Sequence, residues 1–151
     1  MPLLIDGHNL IGRMSDLSLD DPDDEVKLVQ RVRRHCLRHR RQATIIFDAG
    51  LPGGPAPHLS APPVAVVFAA PGVTADHLIC QRIRRARDPR GLLVVSSDRV
   101  VQEAARSRGG RVIPAEEFAA QLADDQTREP GEQGLSKEQV AEWLELFSRK
   151  P

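Results

Sequence analysis

The sequence predicts an α/β protein of three layers, α/β/α, in which a mostly parallel sheet of about five strands lies between two layers of helices. Short apolar runs alternate along the chain with segments of helical periodicity, and this order is typical of parallel sheets. The apolar runs are continuous rather than alternating, as in strands that are buried on both faces. The length of 151 residues provides for one domain with one buried core.

The first strand is predicted over residues 2–6 and ends at Asp6. An acidic stretch from Asp20 to Glu25 then precedes a helix that extends to about Arg41, and the helix dipole favours acidic side chains at that N-terminus. The face opposite the apolar one is basic. The apolar face is expected to consist of Val26, Leu28, Val29, Val32, Cys36 and Leu37.

The rest of the domain continues this alternation. A loop rich in proline and glycine, residues 51–57, is predicted to be irregular because proline lacks a backbone donor and glycine is costly to order. Pro114 suits the first turn of the last helix of the domain. The remaining strands are predicted at residues 43–47, 64–69, 92–95 and 111–113, and the remaining helices at residues 74–87, 98–108 and 115–123.

The chain divides into a domain (residues 1–123), a linker (residues 124–134) and a C-terminal amphipathic helix (residues 135–151). The linker has no apolar periodicity, whereas Ser136 and Gln139 form a capping box for the last helix. Its apolar stripe consists of Val140, Trp143, Leu144 and Phe147. This stripe either docks on its own domain, giving a monomer, or packs on a partner subunit as a homodimer contact.

The formal net charge of zero conceals an uneven distribution. Residues 115–151 hold nine acidic and four basic side chains, whereas the first 114 residues hold 17 basic and 12 acidic ones. Arginine supplies 18 of the 21 basic side chains, and its planar fork matches phosphate better than a lysine ammonium does. The excess of arginine is compatible with nucleic-acid binding, and equally with a genome of biased base composition.

The cysteines and the hydropathy indicate a soluble, cytoplasmic protein. Cys36 and Cys80 lack the CxxC spacing of a zinc site and are expected to be reduced core residues. The N-terminus does not have the form of a signal peptide, and no segment approaches the roughly 20 apolar residues of a membrane helix.

Four aspartates lie at or shortly after the ends of predicted strands. They are Asp6, Asp48, Asp76 and Asp98. If the strands are parallel, their carboxyl ends lie at the same edge of the sheet. Open α/β folds bind ligands at this edge, and Mg²⁺ is usually held by one or two carboxylates together with phosphate and water. Each aspartate alone is equally explained as a helix cap or a turn anchor. Together they would repel one another unless a cation neutralised them, so the set predicts a metal-dependent nuclease.

The motifs that contain these aspartates resemble the NYN-domain family, and within it the YacP-like group of the wider PIN-like nucleases. The motifs are Leu3-Leu-Ile-Asp-Gly-His-Asn-Leu-Ile-Gly12, Phe47-Asp48-Ala49, Gly72-Val-Thr-Ala-Asp76 and Val95-Ser-Ser-Asp98. They occur in the order of the family, and the resemblance extends from residue 2 to about residue 122. It departs from the pattern at His8, where tyrosine is common, and at Ser96, where threonine is usual.

The resemblance implies a Rossmann-like, PIN-like sheet and an endoribonuclease that depends on Mg²⁺ or Mn²⁺, with some members acting on ribosome-bound messenger RNA. Asp6, Asp76 and Asp98 match the acidic residues of the metal site. Asn9 matches a polar residue of the first loop, and Asp48 matches a recurring aspartate at a strand end. The mechanism expected from this set is phosphodiester hydrolysis by a metal-activated water.

Other side chains are predicted to contact the RNA. Thr74 and Ser97 could orient a water or a phosphate oxygen, although helix capping explains Thr74 as well. His8 either stacks on a base or packs within the protein. Phosphate contacts are expected from the arginines of the helix after Asp76, although such a run is also typical of a solvated helix face; these arginines are Arg82, Arg84, Arg85 and Arg87.

Two other enzyme classes fit poorly, and one alternative stays open. The first strand leads into Asp-Gly-His-Asn-Leu-Ile-Gly rather than the G-x-G-x-x-G cradle of dinucleotide enzymes, so no nucleotide cofactor is expected. A dehalogenase-like phosphatase would have a second aspartate where this chain has His8. The open alternative is an RNA- or ribosome-binding module of the same fold that does not cleave RNA.

Overall fold

Six strands form one sheet in the order β3-β4-β2-β1-β5-β6, and all neighbouring pairs are parallel except β3 with β4. The computed structural model describes residues 2–15, 17, 23–48, 54–55 and 60–127. The strands are β1 (Leu3–Asp6), β2 (Ala43–Phe47), β3 (Gly54–Pro55), β4 (Val64–Phe68), β5 (Leu93–Val95) and β6 (Arg111–Ile113). The helices are α1 (Gly7–Ile11), α2 (Asp24–His39), α3 (Ala75–Arg85), α4 (Arg99–Ser107) and α5 (Ala115–Thr127).

The core has two halves, one on each face of the sheet. Helices α1, α2 and α5 cover one face, where Ile5, Ile45 and Phe118 are fully buried. Helices α3 and α4 cover the other face, against Leu4 and Val94. Successive residues of a strand point to opposite faces, so a continuous apolar strand such as β1 supplies both halves. The predicted three-layer α/β fold with five parallel strands is therefore confirmed.

The boundaries differ from the sequence-based expectation in three places. The residues after Asp6 form a short helix, α1, rather than only a turn. Gly54–Pro55, inside the loop expected to be irregular, pairs antiparallel with β4. Helix α5 continues to Thr127, so its last four residues lie in the segment expected to be a linker.

The extension of α5 has a packing reason that the sequence pattern did not reveal. Asp125 is buried and its Oδ2 lies 2.6 Å from Nδ1 of His35, which is also buried, on α2. His39, one turn further along α2, approaches the other oxygen of Asp125 at 3.2 Å. Burial lowers the pKa of His35, with Asp125 acting in the opposite direction. The polar contact of Asp125 with α2 therefore stabilises the last turn of α5, beyond the end of its apolar periodicity.

The apolar face of α2 is largely as expected, with two differences. Leu28, Val29, Val32 and Cys36 are buried in the core, whereas Val26 is 39% exposed. His35 joins the buried face instead: its Nδ1 is paired with Asp125, while its buried Nε2 has no hydrogen-bond partner among the described residues. Cys36 and the second cysteine, on α3, are both buried and free, as expected.

Gly7 is required by the close packing between the first helix and the second strand. A Cβ atom added to this residue would overlap the ring of Phe47 and would lie 3.0 Å from Cγ2 of Ile45. The absence of a side chain at this position lets the chain turn directly from β1 into α1, and so sets Asp6 at the edge of the sheet.

Part of the domain prediction lies outside the described residues. The C-terminal amphipathic helix and most of the predicted linker fall in residues 128–151, so the choice between intrachain docking and a homodimer contact stays a prediction. Among the helices that the structure describes, none combines the length and apolar character needed to cross a membrane.

Candidate metal and nucleic-acid site

The strand order brings the four predicted aspartates to the carboxyl edge of the sheet. Asp6 ends β1, Asp48 follows β2, Asp76 lies in the first turn of α3, and Asp98 precedes α4. Asp76 holds the middle position, because both Asp6 and Asp98 interact with its carboxyl group. The expected convergence of carboxylates is therefore present in the structure.

Burial and mutual repulsion dominate the electrostatics of this cluster. Asp6 is 3% exposed, and its pKa is raised to about 7, first by burial and then by the charge of Asp76, with smaller contributions from Asp48 and Asp98. The pKa of Asp76 is raised too, mainly by burial and by its carboxylate neighbours. No lysine or arginine is among the main influences on either group in the described part of the chain. A bound cation would relieve this repulsion.

Ser96 connects two of the aspartates. Its buried hydroxyl donates a hydrogen bond to Oδ2 of Asp6 across 3.1 Å and accepts one from the backbone N–H of Asp98. Nε2 of Gln102 donates to the backbone oxygen of Ser96 across 2.8 Å and so holds this residue from α4. The hydrogen bonds with Asp6 and Asp98 both use the side-chain hydroxyl, which serine and threonine share. Ser96, where threonine is usual in the family, therefore keeps the group that makes these contacts.

Asp98 serves as the N-cap of α4. Its Oδ1 accepts from the backbone N–H groups of Val100 at 2.8 Å and Val101 at 3.2 Å. The capping explanation considered for Asp98 is therefore correct, but it does not exclude a second role because the carboxyl group also reaches Asp76.

Asp48 and His8 form the border of the cluster. Asp48 Oδ1 accepts from the backbone N–H of Ala75 across 2.6 Å, so this carboxylate caps the start of α3, the helix that presents Asp76. Nδ1 of His8 lies 3.3 Å from the backbone N of Asp48, and its Nε2 lies 3.1 Å from Oε2 of Glu25. The ring of His8 also packs 5.0 Å from that of Phe47. These contacts support the packing role that was one of the two considered for His8.

Asn9 and Ser97 belong to a second hydrogen-bond network at the same edge. Oδ1 of Asn9 accepts from the backbone N–H of Ser97 across 2.9 Å. The Ser97 hydroxyl donates to Oε2 of Glu116 and accepts from the backbone N–H of Ala115. The hydroxyl of Ser97 lowers the pKa of Glu116, whose carboxylate lies 3.9 Å from Nε of Arg13. Asn9 and Ser97 thus join α1, the loop after β5 and the start of α5.

Sequence reasoning missed Glu116 and Glu25, which border the cluster through Ser97 and His8. The available signal for Glu116 was its place in the first turn after β6, since that turn also begins at the carboxyl edge. No sequence pattern could have placed Glu25 beside the cluster, because α2 approaches the cluster only through tertiary packing. Thr74, which the sequence predicts to contact RNA, is the N-cap of α3, because its Oγ1 accepts from the backbone N–H of His77.

The structure separates the four arginines that the sequence predicts to contact RNA. Arg82 and Arg85 line a cavity with Pro2, Leu4 and Leu92, which lie at the amino ends of the strands, opposite the aspartates. Arg84 lies on a different side of α3, one helical turn after Cys80. Burial raises the pKa of the Cys80 thiol, and the charge of Arg84 acts in the opposite direction. Arg87 follows the helix and is exposed.

The donor set fits a hard divalent cation. Asp76 with either carboxylate neighbour supplies the one or two carboxylates that Mg²⁺ usually takes from a protein, the remainder being water and substrate phosphate. The carboxylate oxygens of Asp6, Asp76 and Asp98 do not all lie within 4.8 Å of one another. Among the described residues, the ligand atoms of three acidic, histidine or cysteine side chains lie within 4.8 Å of one another only in the group of His35, His39 and Asp125.

Comparison with known proteins agrees with this architecture. A family model described as the YacP-like NYN domain matches residues 3–146. Two crystal structures of Rae1 (YacP) from Bacillus subtilis are similar. The structure of its W164L mutant shows 23% identity and a TM-score of 0.67 over 84% of this chain and 77% of that one. The other shows 21% identity and a TM-score of 0.66 over 98% of this chain and 82% of that one. No curated protein sequence matches this chain significantly.

Proposed function

This chain belongs to the family of YacP-like NYN domains, which is nuclease-like, and on that premise we propose that it is a divalent-metal-dependent endoribonuclease. The observation that supports this best is the central position of Asp76, with the carboxyl groups of Asp6 and Asp98 both in reach. Such a cluster, in which the pKa values of Asp6 and Asp76 are raised, destabilises the folded chain unless a cation is bound.

In this proposal Asp6, Asp76 and Asp98 hold Mg²⁺ or Mn²⁺. When bound, the ion would supply Lewis acidity that lowers the pKa of an attacking water and offsets negative charge on the phosphate. The chain itself holds the carboxylates in place. Ser96 orients Asp6, and Asp48 fixes the first turn of α3 on which Asp76 lies.

RNA would lie across the carboxyl edge, and its phosphates would reach arginines around that edge. Arg84 lies two helical turns beyond Asp76 toward the amino edge, which is about 12 Å along the axis of α3 at 1.5 Å per residue. Arg13 lies beside Glu116 at the opposite border of the cluster. Contacts of this kind give affinity without sequence preference. Ribosome-bound messenger RNA, as the resemblance implies, is the substrate we propose, in the cytoplasm.

The experiment is cleavage of a mixed-sequence RNA by the purified chain in Mg²⁺ or Mn²⁺. Asp76→Asn should reduce cleavage more than 100-fold while RNA binding, measured by fluorescence anisotropy, is kept or improved because a negative charge is lost. Asp88→Asn is the matched control, because Asp88 is an exposed aspartate beside the short turn before β5, away from the cluster. Unchanged cleavage by Asp76→Asn would remove Asp76 from the mechanism.

The second proposal, an RNA- or ribosome-binding module that does not cleave, predicts a different result in the same experiment. The wild-type chain would bind RNA, but chelation of divalent ions would change neither binding nor the intact length of the RNA. The raised pKa of Asp6 favours the nuclease, because a binding module has no need for a carboxylate cluster that repels RNA phosphate.

A further inference from the structure

A second group of metal-ligating side chains lies between the ends of α2 and α5. His35 and His39 are one helical turn apart on α2, and Asp125 faces them from the last turn of α5. One ligand atom from each of the three lies within 4.8 Å of the other two. His35 and Asp125 are buried, whereas the side chain of His39 is 42% exposed, so the group opens to solvent on one side.

This group is separate from the aspartate cluster. Helix α5 begins at the carboxyl edge of the sheet, where Ser97 accepts from Ala115, and runs toward the amino edge. Asp125 lies ten residues beyond Ala115, or about 15 Å along the helix axis. His39 ends α2, four residues before the start of β2 at Ala43, and so lies at the amino edge as well.

The donor chemistry of the two groups is different. The carboxyl edge offers oxygen ligands, which suit magnesium. The second group offers two imidazole nitrogens and one carboxylate, a set that suits zinc and its neighbours among the transition metals, with three protein ligands and an open fourth position. We propose that His35, His39 and Asp125 form a second metal site of this chain, one that takes Zn²⁺ or a similar transition-metal ion. This proposal does not depend on the nuclease activity.

The distances suit such an ion with small adjustments. Ligand atoms around a tetrahedral zinc lie about 3.4 Å apart, given bonds of about 2.0–2.1 Å. Oδ1 of Asp125 and Nε2 of His39 are already 3.2 Å apart, and Nδ1 of His35 must withdraw from its 2.6 Å contact with Oδ2. His39 is the ligand with room to move, because its side chain is partly exposed.

The surrounding helices also favour a cation. The group lies at the C-terminal ends of α2 and α5, where the partial charges of the helix carbonyls are negative. Arg38 Nη1 lies 3.4 Å from Oδ1 of Asp125 and neutralises the carboxylate in the metal-free chain. A bound ion would have to compete with this guanidinium, which makes Arg38 a determinant of the affinity.

The test is titration of zinc chloride into the full chain by calorimetry, with excess magnesium present to saturate the carboxyl edge. Wild-type protein should bind one equivalent of zinc, and His39→Ala should weaken that binding at least tenfold. His77→Ala is the matched control, because His77 is an exposed histidine on α3 and is not part of the group. Cobalt(II) should give the visible absorption of nitrogen ligation with wild-type protein and with His77→Ala, but not with His39→Ala.

Folding is checked separately, because His39 also contacts Asp125 in the metal-free chain. Zinc should raise the melting temperature of the wild-type protein and of Asp6→Asn/Asp76→Asn, but not of His39→Ala or the milder variant His39→Gln. If wild-type protein does not bind zinc, or binds it with the same affinity as both His39 variants, the proposal is overturned and the group is only a hydrogen-bonded contact between two helices.

Discussion

Ser96 donates a hydrogen bond from its buried hydroxyl to Oδ2 of Asp6, 90 positions away in sequence and 3.1 Å away in space. The bond joins the end of β1 to the residue after β5, its parallel neighbour in the sheet. Because it stabilises the ionised carboxylate, it lowers the pKa of Asp6 against the stronger effect of burial, which raises it.

Removing this bond should weaken metal binding. In Ser96→Ala the pKa of Asp6 should rise above its value of about 7, so that a larger fraction of the carboxyl is protonated at neutral pH. We expect manganese affinity at pH 7 to fall roughly tenfold, the scale of a hydrogen bond to a charged group, and to recover at higher pH. Calorimetric titration at several pH values measures this.

Two further variants define that result. Ser96→Thr keeps the hydroxyl and should bind manganese nearly as well as wild-type protein. Ser107→Ala removes an exposed hydroxyl at the end of α4, which donates to the backbone oxygen of Ala104, and should leave the affinity unchanged. Equal losses in Ser96→Ala and Ser96→Thr would show that packing rather than the hydrogen bond matters.

Stability of the metal-free protein should decrease as the pH rises, because of Asp6. Its pKa is about 7 in the folded state and 3.8 in the reference state, so the folded chain keeps a proton that the unfolded chain has released. This contribution is complete below about pH 4 and is lost as the pH rises through 7. Asp6→Asn should therefore stabilise the metal-free protein at pH 8, by at most about 4 kcal/mol, and not at pH 4.

Urea unfolding with and without manganese tests this linkage. With a chelator, Asp6→Asn should unfold at higher urea concentration than wild-type protein at pH 8, and the two should coincide at pH 4. Saturating manganese should reverse the order at pH 8, because only the wild-type chain gains the binding energy of the ion. A variant that is less stable at both pH values without metal would contradict the electrostatic account of Asp6.

Arg84 and Arg85 are adjacent but should have different effects on RNA binding. Arg84 continues the i, i+4, i+8 row of Asp76 and Cys80 on α3, whereas Arg85 lines the cavity at the amino edge. Arg84→Ala should weaken RNA binding and reduce the slope of log affinity against log salt by about 1, whereas Arg85→Ala should leave the slope unchanged. Fluorescence anisotropy over a salt series measures both, and equal slopes for the two variants would exclude a phosphate contact by Arg84.

Asp48 and Asp76 should respond differently to the same substitution. Asp48 caps α3 by accepting from the N–H of Ala75, and the amide oxygen of asparagine can still accept that bond. Asp48→Asn should therefore keep RNA cleavage within about tenfold of wild-type protein, whereas Asp76→Asn should abolish it. RNA cleavage rates of both variants measured in Mn²⁺ test this difference. An equally severe loss of cleavage in both would place Asp48 among the metal ligands.

The sequence by itself determined the layers of this fold, because continuous apolar strands such as Leu3–Asp6 are buried on both faces and amphipathic helices alternate with them. It also located the acidic edge, because parallel strands end at one side of a sheet. These are local properties of periodicity and position, which a single sequence records. The four aspartates could therefore be found before any distance between them was known.

The tertiary structure alone decided which side chains meet across the sheet. The central position of Asp76, the bond from Ser96 to Asp6, and the separation of Arg84 from Arg85 depend on strand order and on the rotation of α3. The contact of Asp125 with His35 lengthened α5 beyond its apolar pattern, since a buried carboxylate must find a polar partner wherever the packing provides one. Contacts between residues about 90 positions apart leave no periodic trace in the sequence, and so only the folded chain shows them.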